Sequence, residues 1–179
     1  MQQSECARAT TAAESRFRLE RPNSRRRSIR IVALDPASQD IADNLVLDLP
    51  NAKIVTLPEE ARALMARPKD GLNEKDGRLL FDGLSPEIRK TVDALTEADM
   101  VIMVVRSGDD ARASAFIAEA CWPLGIATTG LVLARNGDTE EAASSDTLRQ
   151  LRPHAFILTV AADLEFIEAL IQALGGQGA

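Results

Sequence analysis

Five short apolar runs, Ile29–Leu34, Ala52–Leu57, Met100–Val105, Ala127–Leu133 and Ala155–Val160, punctuate the chain. Between them lie Ser38–Asp48, Pro58–Ala66, Pro86–Glu97, Asp109–Trp122, Thr139–Leu151 and Asp163–Leu174, whose apolar residues recur at helical spacing. That alternation predicts repeated β-α units: an α/β, three-layer, Rossmann-like domain with a mainly parallel sheet of about five strands flanked by helices. Met100–Val105 is apolar at every position, so it is expected as a central strand buried on both faces. Ser85 before Pro86-Glu87 is a helix-start signal, because the hydroxyl accepts an unpaired amide and Pro lacks one. Residues 67–84, with Gly71, Gly77 and Gly83 among charged side chains, read as a long surface connection.

The pattern fades before Ile29. Residues 1–28 are rich in Ala, Ser, Thr, Arg and Gln and hold too little apolar surface to offset the entropy of ordering, so a disordered basic arm is expected there and the domain over 29–179. Residues 1–30 carry eight Arg against three Glu, whereas the whole chain has a net charge of -6. The acidic body is a poor match for a phosphate backbone. The arm, through Arg21, Arg25, Arg26 and Arg27, is the candidate contact for nucleic acid, an anionic surface or an acidic partner.

Aromatic residues make up 3% of the chain, with no Tyr and one Trp, which leaves few stacking platforms for single-stranded nucleic acid. Two cysteines, Cys6 and Cys121, make no disulfide framework and suggest a reducing compartment. No run approaches the 18 to 20 or so apolar residues of a membrane span, and no apolar segment after Arg25-Arg26-Arg27 makes a secretory signal. A cytoplasmic location is expected.

The strings Asn51–Leu57, Glu60–Leu64, Ser85–Lys90, Glu97–Val101, Ile117–Glu119 and Leu124–Val132 stand in an order that resembles the nucleotide-binding domain of FtsZ, the bacterial relative of tubulin. Asn51–Leu57 followed by Glu60-Ala61-Arg62-Ala63-Leu64 is similar to the family's second strand and its outgoing helix. Ser85-Pro86-Glu87-Ile88-Arg89-Lys90 is similar to the family's Asn-Pro-Glu helix start with Arg-Lys, and Glu97–Val101 to the approach to its central strand. Ile117-Ala118-Glu119 with Leu124–Val132 resembles the family's next helix and strand. The resemblance spans roughly Ile29 to Leu170 and implies a GTP-binding fold.

The chain departs from that family where its chemistry resides. After the first strand stands Leu34-Asp35-Pro36-Ala37-Ser38-Gln39-Asp40 instead of a glycine-rich turn. Such a turn lets backbone amides approach phosphate oxygens, whereas Pro36 removes a donor and Asp35 adds negative charge. After the central strand stands Arg106-Ser107-Gly108-Asp109-Asp110-Ala111-Arg112, with one glycine and two adjacent carboxylates. A like charge about 4 Å from a phosphate costs about 1 kcal/mol in water and about 4 at an intermediate dielectric. Arg106 and Arg112 offset part of that. The family's hydrolysis also needs a loop from a second domain, which residues 1–179 do not contain, so GTPase activity is doubly disfavoured.

Ligands of open α/β sheets lie beyond the carboxyl ends of the strands. The candidate crevice residues are therefore Asp35, Ser38, Arg106, Ser107, Gly108, Asp109 and Asp110. Asp109-Asp110 has two readings: capping of the next helix, or an acidic lip for Mg2+ or a partner. His154 stands without ligand-spaced companions, Cys121 reads as a buried small residue, and no GxSxG, HExxH, CxxC or Walker pattern occurs. No catalytic residue, cofactor or metal is nominated. The function expected is a non-catalytic protein-interaction or regulatory domain, binding another protein or itself. The alternative is a domain or enzyme that binds a nucleotide or sugar phosphate.

Overall fold

A computed structural model of the chain describes residues 27–65 and 85–175. The five runs form one all-parallel sheet of β1 Ile29–Ala33, β2 Ala52–Ile54, β3 Met100–Arg106, β4 Ala127–Leu133 and β5 Ile157–Ala161, ordered β2-β1-β3-β4-β5. Among the described residues, seven α-helices flank it: α1 Gln39–Asp43, α2 Glu59–Met65, α3 Pro86–Thr96, α4 Ser114–Cys121, α5 Thr139–Ser144, α6 Asp146–Leu151 and α7 Leu164–Gly175.

Alternation along the strands builds two cores. On one face Val32, Val101, Met103, Val105 and Val132 pack with Ala61 of α2, Ile88 and Leu95 of α3, Phe116 and Ile117 of α4, and Leu148 and Leu151 of α6. On the other, Ile29, Ile31, Met100, Ile102, Val104 and Leu131 meet Ile41 of α1 and Ile167 and Ile171 of α7. The result is a three-layer, Rossmann-like α/β domain. Met100–Val105 is buried throughout, as a strand covered on both sides must be. A Cβ on Gly130 would stand 2.7 Å from Leu151 Cδ2 and 2.9 Å from Leu158 Cδ1, so the bare glycine lets α6 close on β4.

Arg30 is a buried cation in β1, and it is satisfied. Its Nε donates to Ala94 O at 3.0 Å near the end of α3 and its Nη1 to Ser28 Oγ at 2.9 Å. A guanidinium there meets the negative end of the helix dipole.

Local predictions fail in three places. The helix expected over Ser38–Asp48 is a 3-10 turn, Pro36–Ser38, and five α-helical residues. Beyond it Leu45, Leu47 and Leu49 are half-buried against the second core while Val46 and Asp48 are exposed, a period of two that an irregular extended segment satisfies. Thr139–Leu151 is two helices, because Ser145 is extended (φ -68°, ψ 156°) and caps the second through Leu148 N at 3.3 Å. The helix expected from Asp109 begins at Ser114.

The arm residues Arg21, Arg25 and Arg26 lie outside the described residues. Arg27 and Ser28 belong to the folded unit: Arg27 N donates to Gly175 O at 3.0 Å, and Ser28 N to Asp99 Oδ2 at 2.8 Å. Among the described residues no helix is long and apolar enough to cross a membrane.

Candidate functional site

β2 and β3 leave β1 on opposite sides, so the direction of winding reverses between β1 and β3. Their carboxyl ends mark the crevice where an open α/β sheet takes a ligand. All seven candidate crevice residues come to this end of the sheet, at the end of β3 or on the loops after β1 and β3.

Those loops are fastened to each other. Ser38 is fully buried, and its Oγ accepts from Arg106 N at 2.9 Å while donating to Asp109 Oδ2 at 2.6 Å. Asp109 is thereby drawn across the mouth of the crevice, with its side chain 7% exposed. Its other oxygen accepts from Arg135 Nη2 at 2.7 Å, and Arg135 Nε donates to Ser107 O at 2.5 Å, which adds the loop after β4. Arg106 turns outward, donating to Ala37 O at 3.1 Å and Asp40 Oδ2 at 2.8 Å. Asp35 caps the short turn after β1, accepting from Ala37 N at 2.8 Å.

Backbone donors are consumed in the same way. Ser107 N reaches Leu133 O at 2.8 Å, Asp109 N reaches Arg106 O at 3.0 Å, and Gly108 N reaches Thr147 Oγ1 at 3.0 Å. Thr147 Oγ1 in turn donates to Asp109 O at 2.7 Å. Ala111 N reaches Gln150 Oε1 at 2.9 Å, and Arg112 N reaches Asp110 Oδ1 at 3.0 Å. Gly108 sits at φ +90°, a left-handed conformation that glycine adopts freely. A phosphate-binding loop works by presenting such amides unspent. Here five of them meet acceptors of the chain itself.

The capping reading of Asp109-Asp110 is corrected by this geometry. Neither residue caps α4, whose start at Ser114 lies beyond them and whose N-cap residue, Ala113, offers no side-chain bond. Asp109 serves the Ser38–Arg135 link. Asp110 turns back on Arg112, whose guanidinium lies 2.5 Å away and, by hydrogen bonding first, holds the carboxyl below its ordinary range. Among the described residues no three His, Cys, Asp or Glu gather as a metal site. Both carboxylates are thus paired, and spent amides rather than bare negative charge close the crevice. Beside these loops, Gly108, Asp109, Asp110 and Arg112 join Asp146, Thr147 and Gln150 in lining a shallow polar cleft of about 360 Å3.

Arg135, Thr147 and Gln150 were absent from the sequence-based candidates. Arg135 lies just past the end of β4, so strand-end position was its available signal. Thr147 and Gln150 act across 39 residues of sequence and left none. Cys121 is fully buried, and burial pushes its thiol up to about 12, so it is no nucleophile. His154 is half-buried beside the Trp122 ring, 6.3 Å between centroids.

The opposite end of the sheet differs in kind. Trp122, Ile126, Ala127, Pro153, Ala155 and Phe156 line an apolar groove of about 550 Å3 beside the amino ends of β4 and β5. Trp122 is oriented by its Nε1–H to Thr128 Oγ1 at 3.1 Å, and that hydroxyl donates to His154 O at 2.8 Å. Sequence reasoning, aimed at strand carboxyl ends, did not single out this groove.

No protein-family model and no curated protein matches the chain.

Proposed function

We propose that this chain is a non-catalytic protein-interaction or regulatory domain, a degenerate relative of the FtsZ nucleotide-binding domain that does not hold GTP in that family's manner. The observation that carries the reading is the self-satisfied loop after β3, in which the amides of Ser107, Gly108, Asp109, Ala111 and Arg112 all meet internal acceptors. Moving them onto a phosphate requires breaking bonds to Thr147 and Gln150 that tie the loop to α6. The apolar groove at the other end supports the interaction half, since exposed aromatic residues around an apolar hollow are the material of protein interfaces. The family assignment rests on the ordered strings in the sequence, and the doubly wound sheet is compatible with it.

Calorimetric titration of the full chain with GTP and GDP in the presence of Mg2+ tests this. No binding heat is expected; micromolar affinity with turnover contradicts the reading. The alternative, a small-molecule domain, draws on the polar cleft where Arg112 and Gln150 stand among Asp109, Asp110 and Asp146. It predicts thermal stabilisation by a nucleotide or sugar phosphate, about 2.7 kcal/mol at a hundred times the dissociation constant.

A further inference from the structure

The sheet ends, among the described residues, at β2 on one side and β5 on the other, and the two edges are built differently. β2 is three residues long, carries exposed Lys53 and lies between Pro50 and Pro58, features that discourage edge pairing. β5 has none of them. Ala155–Ala162 contains no charge, no Pro and no Gly, within a chain of net charge -6. Two copies of an acidic protein meet least repulsion where neither carries charge.

The main chain of this edge suits a second copy of itself. Ala134 N donates to Ala161 O at 2.8 Å, which turns the Ala161 main chain toward β4; by alternation the groups of Leu158 and Val160 face outward. We propose that two copies of the chain associate through β5, antiparallel about a twofold axis at Thr159, to make one continuous ten-stranded sheet. This deepens the interaction reading and rests on it. In that register Leu158 and Val160 of one copy exchange backbone hydrogen bonds with Val160 and Leu158 of the other. Each edge is its own complement, as an isologous contact requires.

The flanking surface is apolar. Phe156, Trp122 and Ile157 at or beside the amino end of β5 are 86%, 48% and 41% exposed, on the order of 300 Å2 of apolar surface per copy. A standard interface takes about 800 Å2 from each partner. The edge main chain and the sides of α5 and α7, the helices that meet β5, would supply the rest.

The register places the two Thr159 side chains directly opposite, with Cβ atoms about 5 Å apart. Sedimentation equilibrium of the full chain at roughly 100 μM is expected to show a dimer. Thr159→Lys and Thr159→Glu, each alone, are expected to weaken it about tenfold or more, and mixing the two variants in equal amounts to restore it. A monomeric wild type, a dimer indifferent to both variants, or a mixture that stays monomeric overturns the proposal. If the variants fail to fold by circular dichroism, exchange of the Leu158 and Val160 amides in the wild type decides. It slows with rising concentration if β5 pairs, and concentration-independent fast exchange overturns the pairing. A monomeric result leaves the nucleotide reading standing, and GTP binding would overturn that reading without moving the sedimentation result.

Discussion

At the carboxyl end of this sheet, polar residues are plentiful and the charged ones on the loops after β1, β3 and β4 pair with the chain itself; at the amino end of β4 and β5, polar residues are few and the apolar ones stand open. Ser38, Asp109 and Arg135 lock three loops together where a ligand would enter. Trp122 and Phe156 border an apolar hollow at the other end. A crevice in the expected place is thus not a site unless its donors and charges are unspent. A surface outside the expected place becomes a candidate when its apolar groups have nothing to cover them.

Removing the lock should erase most of that difference. Asp109→Ala strips Ser38 of its acceptor and leaves Arg135 only its bond to Ser107 O, and is expected to lower stability by about 2–3 kcal/mol in urea unfolding, reduced by the half-exposed guanidinium. A loss below about 0.5 kcal/mol would mean that the loops are held by something else. Next comes Gly130→Ala, where the added methyl meets Leu151 and Leu158; about 1–3 kcal/mol is expected from overpacking. Gly108→Ala places a side chain at φ +90° and 3.3 Å from Arg135 Nε, and should cost about 1–2 kcal/mol. At the amino end, Phe156→Ser is expected to leave monomer stability within about 0.5 kcal/mol while weakening association.

Acid probes the carboxyl end most gently. The folded carboxyl of Asp110 lies below its ordinary value because Arg112 bonds the ionised form. Its contribution is therefore present above the unfolded value, near 3.8, and fades as pH falls through the folded one. With a side chain 40% exposed, solvent screening keeps the effect well under 1 kcal/mol. Asp110→Asn should flatten that part of the stability profile below pH 4 or so and leave the rest unchanged.

Much of the fold was legible because it follows from local pattern. Met100–Val105 announced a strand buried on both faces, and Ser85-Pro86 announced the start of α3, where Ile88 N donates to Ser85 Oγ at 3.4 Å. The stretch after α1 misled because Ile41, Leu45 and Leu49 recur every four residues, as on a helix, while Leu45, Leu47 and Leu49 recur every two, as along a strand. The break at Ser145 was readable in principle, since Ser145-Asp146 is itself a cap signal inside an apparent helix. The crevice was legible by position and not by state. Residue types after β1 and β3 suggested repulsion, while the pairing of Asp109 with Arg135 depends on folding together loops 26 residues apart. The β5 edge went unread because openness belongs to the sheet order and not to the strand.

Whether this crevice can take a nucleotide turns on five amides of the loop after β3, to which the chain already supplies acceptors. Amide-resolved NMR of the full chain, titrated with GTP and Mg2+, reads them one by one. The resonances of Ser107, Gly108, Asp109, Ala111 and Arg112 are expected to stay where they are; saturable shifts at those five amides would contradict the loop's closure.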